Sequence, residues 1–228
     1  MLVTISFSAI ATAGTILGVS PLSAQAATFT EQPDEAGELL GNALLVQDNL
    51  LIPFVPTDIN GKLQEPRGSQ PDDRADLFKI IFPQSGFLTA FTGNSSGGAG
   101  SLNDAQLFLF NALGQGVLAN DDDGTGLAAR IEGFITAGTY YLGISGYDYD
   151  PRDAGGNLIF PSFPFTPIYG PNPGVGPLAS WGGGSGYGTY KIDLDFQPAA
   201  IPTPALLPGL VGFGATVLRK RRKLAAMG

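Results

Sequence analysis

The run Asn120-Asp121-Asp122-Asp123-Gly124 sets three carboxylates side by side, and Asp104 stands just ahead of the apolar stretch 105–110 that comes before it. Adjacent carboxylates raise one another's cost of ionisation, and a hard cation with oxygen ligands, such as Ca2+, relieves that cost. Asp104, Asp121, Asp122 and Asp123 are therefore candidate Ca2+ ligands. The run is not an EF-hand loop, because Ala119 would occupy the first ligand position and Arg130 the twelfth. A solvated turn between two strands has the same composition, so two readings stand at this point. Asp148, Asp150 and Asp153 also have ligand-like spacing, in a segment where carboxylates would equally keep a loop hydrated. In that segment Tyr147, Tyr149, Trp181 and Tyr187 offer an aromatic platform for stacking on sugar rings. The alternative is that these rings cover a sheet and shield an edge strand.

Much other chemistry is excluded by composition. The chain has no cysteine and no histidine, which removes disulfides, thiolate chemistry and the commonest general base and zinc ligand. Gly124 to Ala129 matches the loose dinucleotide pattern G-x-G-x-x-A, but it follows an aspartate run instead of a strand. Ser145 in Gly143-Ile144-Ser145-Gly146 is not a nucleophile elbow, since the glycine arrives one position early and no histidine exists to activate it. A hydrolase working through paired carboxylates, with Glu132 as one conceivable member, is the alternative to a non-catalytic protein.

The elements that would position these residues read as strands. With 33 Gly and 18 Pro among 228 residues, and only 14% charged, the composition opposes a helical bundle and marks frequent turns. Period-two patterning appears in ADLFKIIF (75–82), with Phe78, Ile80 and Phe82 on one face, and in GFLTAFT (86–92), with Phe87 and Phe91. AQLFLF (105–110) sets Leu107 and Leu109 against Phe108 and Phe110, and Asn111 to Gly116 turns the chain into VLAN (117–120). ARIEGFI (129–135) and TYYLGIS (139–145) follow, the latter with Tyr140, Leu142 and Ile144 aligned. GTYKIDLDF (188–196) directs Tyr190, Ile192, Leu194 and Phe196 inward and Lys191, Asp193 and Asp195 outward. Short strands at this spacing predict an all-β domain, a jelly-roll-like β-sandwich, over 27–200. Residues 146–187, rich in Pro, Gly and aromatics, read as an irregular insertion into it.

Charge and hydropathy set the ends apart. Five of the 12 cations, Arg219 to Lys223, lie in the last ten residues, and all 20 acids fall between Glu31 and Asp195. Ahead of that tail seven cations face 20 acids, a net charge of −13. Such a surface repels phosphates, so nucleic acid is not an expected partner. Residues 1–19 are apolar or small, and Ala24-Gln25-Ala26 is an A-x-A site, which together predict a signal helix removed by signal peptidase after Ala26. At the other end the uncharged run 205–218 would span about 21 Å as a helix, short of a ~30 Å hydrocarbon core. With the basic cluster behind it, it predicts a transient inner-membrane stop with its C-terminal side in the cytoplasm.

Pro202-Thr203-Pro204-Ala205, followed by Leu206 to Leu210 and by Arg219 to Lys223, resembles the PEP-CTERM sorting signal in its PTPA variant. The resemblance covers 201–228 and implies an exported protein of an exopolysaccharide-rich envelope, processed by an exosortase-like membrane protease. The body resembles the bacterial pre-peptidase C-terminal type of domain and its relatives in sorted proteins through Gly37 to Ala43, Asp73 to Phe82, Asp104 to Gly124 and Ala137 to Asp148, closing on Tyr190 to Phe196. That resemblance implies a secreted accessory β-sandwich, in some cases calcium-binding. It also implies a further cation site, at Asp34, Glu35, Asp73 and Asp76, between the leader segment and the first strand. The expectation is a non-catalytic protein of the cell envelope or extracellular matrix, associated with polysaccharide and stabilised by Ca2+. The alternative is a secreted hydrolase, a glycosidase or a peptidase accessory module.

Overall fold

The computed structural model describes residues 28–31, 36–46, 55–65, 73–93, 101–184 and 186–200. The expected signal helix, with Ala24 and Ala26, and the expected C-terminal helix and motif, with Pro202, Thr203, Pro204 and Ala205, lie outside the described residues, as do Asp34 and Glu35. Among the described residues no helix is long and apolar enough to cross a membrane.

The described residues form β1 (Thr28–Thr30), β2 (Leu44–Leu45), β3 (Asp58–Leu63), β4 (Ala75–Phe82), β5 (Gly86–Phe91) and β6 (Ala105–Asn111). They continue with β7 (Gly116–Asn120), β8 (Arg130–Ile135), β9 (Gly138–Gly146), β10 (Tyr149–Arg152), β11 (Ser180–Gly183) and β12 (Gly188–Pro198). One five-stranded sheet has the order β1-β3-β12-β5-β8, a second has the order β2-β4-β9-β6-β7, and β10 and β11 form an antiparallel ribbon. The two large sheets face each other across one core, to which the first gives Ile59, Leu88 and Ile192 and the second gives Phe78, Leu107 and Leu142. This is a β-sandwich, as alternation of apolar residues along each strand requires.

The second sheet is covered on both faces. Its outer side carries Leu77, Phe108, Phe110 and Tyr141, and residues of the insertion close over them: Ile159, Phe160, Leu178 and Trp181. Double burial explains why β6 is apolar on both faces, with the leucines in the inter-sheet core and the phenylalanines in the outer one. Between β10 and β11 the insertion is irregular, as its Pro and Gly content predicts, yet it is packed down onto the sheet. It contributes a ribbon and a second core, because the apolar face of the sheet beneath it supplies the burial that its own sequence does not.

The face of GFLTAFT also differs from expectation. Leu88 and Ala90 point into the core, while Phe87 is 45% exposed and Phe91 lies outward beneath the Arg130 guanidinium, 4.4 Å from the ring centroid. Pairing with β12 decides this: Leu194 sits opposite Ala90 and Phe196 opposite Leu88, so the inward set of β12 selects the smaller residues of β5.

Candidate metal centre

β6 and β7 form a hairpin in which Leu107 pairs with Asn120, so the residues just before β6 and just after β7 meet at its open end. Its turn is set by Asn111, whose Oδ1 accepts the N–H groups of Leu113 (2.9 Å) and Gln115 (3.1 Å), and by Gly114 at φ +76°. The hairpin thereby brings Asp104 to Asp121 and Asp122, and one oxygen from each of the three carboxylates lies within 4.8 Å of the others.

Asp121 is 9% exposed. Its Oδ1 and that of Asp122 are fully buried and accept no hydrogen bond. Burial pushes the Asp121 carboxyl up to about 7, helped by the negative charges of Asp104, Asp122, Asp150 and Asp148. Burial likewise raises Asp104, with Asp122 adding to it, and raises Asp122, with Asp123 adding to it. A buried carboxylate oxygen without a donor is costly, and two such oxygens with the Asp104 carboxylate beside them form an oxygen cluster that a divalent cation would neutralise.

Asp123 does not join them. Its Oδ1 accepts from Thr125 N (2.7 Å) and Gly126 N (3.2 Å), which together with the Thr125 hydroxyl hold its carboxyl below the usual range. It is the cap of the turn that follows, leaving three of the four expected ligands at the site.

The third expected group is dispersed. Asp148 is exposed at φ +58°, Asp150 is buried beside Gln106, and Asp153 is enclosed by donors of its own loop. At the second expected site Asp76 is fully buried and accepts from the Tyr190 hydroxyl at 2.5 Å, while the backbone of Asp73 pairs with that of Gln64.

The aromatic residues do not assemble as one platform. Trp181 is buried against Phe108 and Phe110, its Nε1 donates to Glu38 O at 2.6 Å, and Tyr149 stacks on it at 6.2 Å. Arg74 lies over the rings of Tyr149 and Tyr187, and Tyr147 stands 44% exposed beside Phe165. The insertion also shields the free edge of β7, since Ala119 and Tyr169 exchange both backbone hydrogen bonds, at 2.9 and 2.8 Å. Ser145 is fully buried and donates to Tyr149 O at 2.8 Å, whereas Glu132 stands exposed on β8.

One residue that the sequence did not single out organises the site. Asn120 donates through Nδ2 to the carbonyls of Asp122 (2.9 Å), Thr166 (3.1 Å) and Pro167 (3.2 Å), and its Oδ1 accepts from Arg130 N (2.8 Å). It ties β7, β8 and the insertion to the backbone of the acid turn. Its position at the end of β7, directly before the acids, was the only available signal.

No family model matches the chain, and no curated protein matches it. Among solved structures it is similar to the pre-peptidase C-terminal domain of a collagenase from Bacillus anthracis, at 13% identity over 61% of this chain and 88% of that one, with a TM-score of 0.32. The class is defined by the chain's own two packed sheets: an all-β sandwich carrying an acidic cluster at one hairpin end.

Proposed function

We propose that this is an exported, non-catalytic protein of the cell envelope or extracellular matrix whose β-sandwich takes up Ca2+ between Asp104, Asp121 and Asp122. The observation that carries the reading is the pair of buried, unpartnered oxygens, Asp121 Oδ1 and Asp122 Oδ1, gathered with Asp104 at the end of the β6–β7 hairpin. Three carboxylates offer up to six oxygens, and neighbouring carbonyls or water would complete the roughly six to eight that Ca2+ takes. The cation would join the chain before β6 to the chain after β7 and so hold an edge of the sheet. The resemblance of the tail to a sorting signal supports export, a transient membrane stop, release by an exosortase-like protease and an exopolysaccharide-rich setting.

Native mass spectrometry of the protein recovered from the envelope or medium tests both halves. The expected species lacks residues 1–26 and Arg219 to Lys223 and retains one Ca2+, which the Asp121→Asn/Asp122→Asn variant loses. Recovery with the basic tail attached contradicts the sorting reading. A metal-free parent protein from calcium-containing medium, or a variant that keeps the ion, contradicts the site.

A further inference from the structure

The two ends of the sandwich differ in chemistry. Asp104, Asp121 and Asp122 meet at one end, where β6 begins and β7 stops. Strand pairing defines the other end: Gly86 at the start of β5 lies opposite both Pro198 and Ile135, Phe82 lies opposite Gly138, and Phe110 lies opposite Gly116. Three turns gather there, 83–85, 112–115 and 136–137, and none of them holds a charged residue, although the chain ahead of the basic tail is strongly acidic. Large apolar side chains stand out at this end instead. Leu113 in the β6–β7 turn is 70% exposed, and Phe134 and Phe87, paired across β8 and β5, are 63% and 45% exposed. Acids begin one row further in, where Glu132 and Asp195 flank Thr89. The chain also leaves the sandwich from this end. Gln197 pairs with Phe87, and Ala199 N donates to Ser85 O at 2.9 Å, so the tail departs beside the exposed phenylalanines.

We propose that this uncharged end is a lipid-facing surface: with the tail in a bilayer, Leu113, Phe134 and Phe87 rest in the membrane interface and the acidic end points away from it. This rests on the transient membrane stop proposed above for 205–218 and adds the orientation of the body to it. Residues 199–204, at about 3.5 Å each, allow at most ~20 Å between Pro198 and the apolar run, so an inserted tail keeps this end of the sandwich at the bilayer surface. Phenylalanine and leucine enter the boundary between headgroups and acyl chains favourably, and turns without acids avoid the repulsion that anionic headgroups exert on the rest of the body. A contact of this size is reversible by itself. It holds the body while the tether keeps the effective concentration high, and cleavage of the tail frees it.

The test is fluorescence of the full-length chain in phosphatidylcholine vesicles whose acyl chains carry bromine, which quenches tryptophan on contact. Trp181, the single tryptophan of the chain, is buried and supplies a constant background. Leu113→Trp and Phe134→Trp are made separately, so that one probe remains if the other does not fold. Each should lose its added emission in brominated compared with unbrominated vesicles, whereas Leu127→Trp, exposed in the loop after the acids, should keep it. Flotation of the parent chain with the vesicles reads tail insertion independently. A chain that floats while both probes are quenched no more than Leu127→Trp overturns the lipid-facing end and leaves the membrane stop standing. A chain that does not float overturns both. Emission of both probes shifted to shorter wavelength without quenching, together with a doubled mass in sedimentation, assigns the surface to a second copy of the chain and overturns the lipid contact.

Discussion

Asp121 and Asp153 are both largely buried aspartates, yet their carboxyls are driven in opposite directions. Asp121 has a buried oxygen with no donor and other carboxylates around it, so its carboxyl rises to about 7. Asp153 accepts from the backbone N–H groups of Gly176 (3.1 Å), Asn157 (2.9 Å) and Gly155 (2.9 Å) and from the Asn157 side chain, and these donors pull it down to about 2. Donor supply separates a structural acid from a ligand. Because the folded value of Asp153 lies below its ordinary value of 3.8, its contribution is present above about pH 4 and is lost as pH falls from there towards 2. Asp153→Asn imposes the neutral form at pH 7. The Gly176 amide should then exchange faster, with Ca2+ affinity unchanged in calorimetry; a fall in affinity would show that Asp153 reaches the cation after all.

At the scale of elements, β4, β9 and β12 were legible because apolar residues repeat every second position along them, and β6 because a short apolar run is bounded by turn formers. β1, β2 and β3 were not, being short or, in Asp58-Ile59-Asn60-Gly61-Lys62-Leu63, only weakly patterned. They are held by pairing with neighbours, and Gly61 occurs where the Tyr190 ring leaves no room for a Cβ. Asp121 and Asp122 were legible from the density of acids, and Asp104 from its place before a strand. The role of the insertion was hidden, since nothing local shows that Trp181 turns inward onto Phe108 and Phe110 or that Tyr169 pairs with Ala119 at the edge of β7. The second core gives a quantitative expectation. Trp181→Ala should cost about 3–5 kcal/mol in denaturant unfolding, as for other buried large-to-small changes, and should expose a dye-binding apolar face. A cost below ~1 kcal/mol would mean that the insertion packs too loosely to form a core.

For the whole molecule, a charge of −13 ahead of the tail makes self-repulsion a standing cost of the compact state, and cation uptake at one hairpin end offsets part of it. General screening by salt has the same sign, so a calcium-dependent rise in stability alone does not locate the ion. Position does. Crystals of the exported protein grown in Ca2+, with an anomalous difference map, address the claim most directly. The account predicts a peak bounded by the Asp104, Asp121 and Asp122 carboxylates at about 2.3–2.6 Å from their oxygens. A peak beside Asp73 and Asp76 instead, or none at saturating Ca2+, would contradict it.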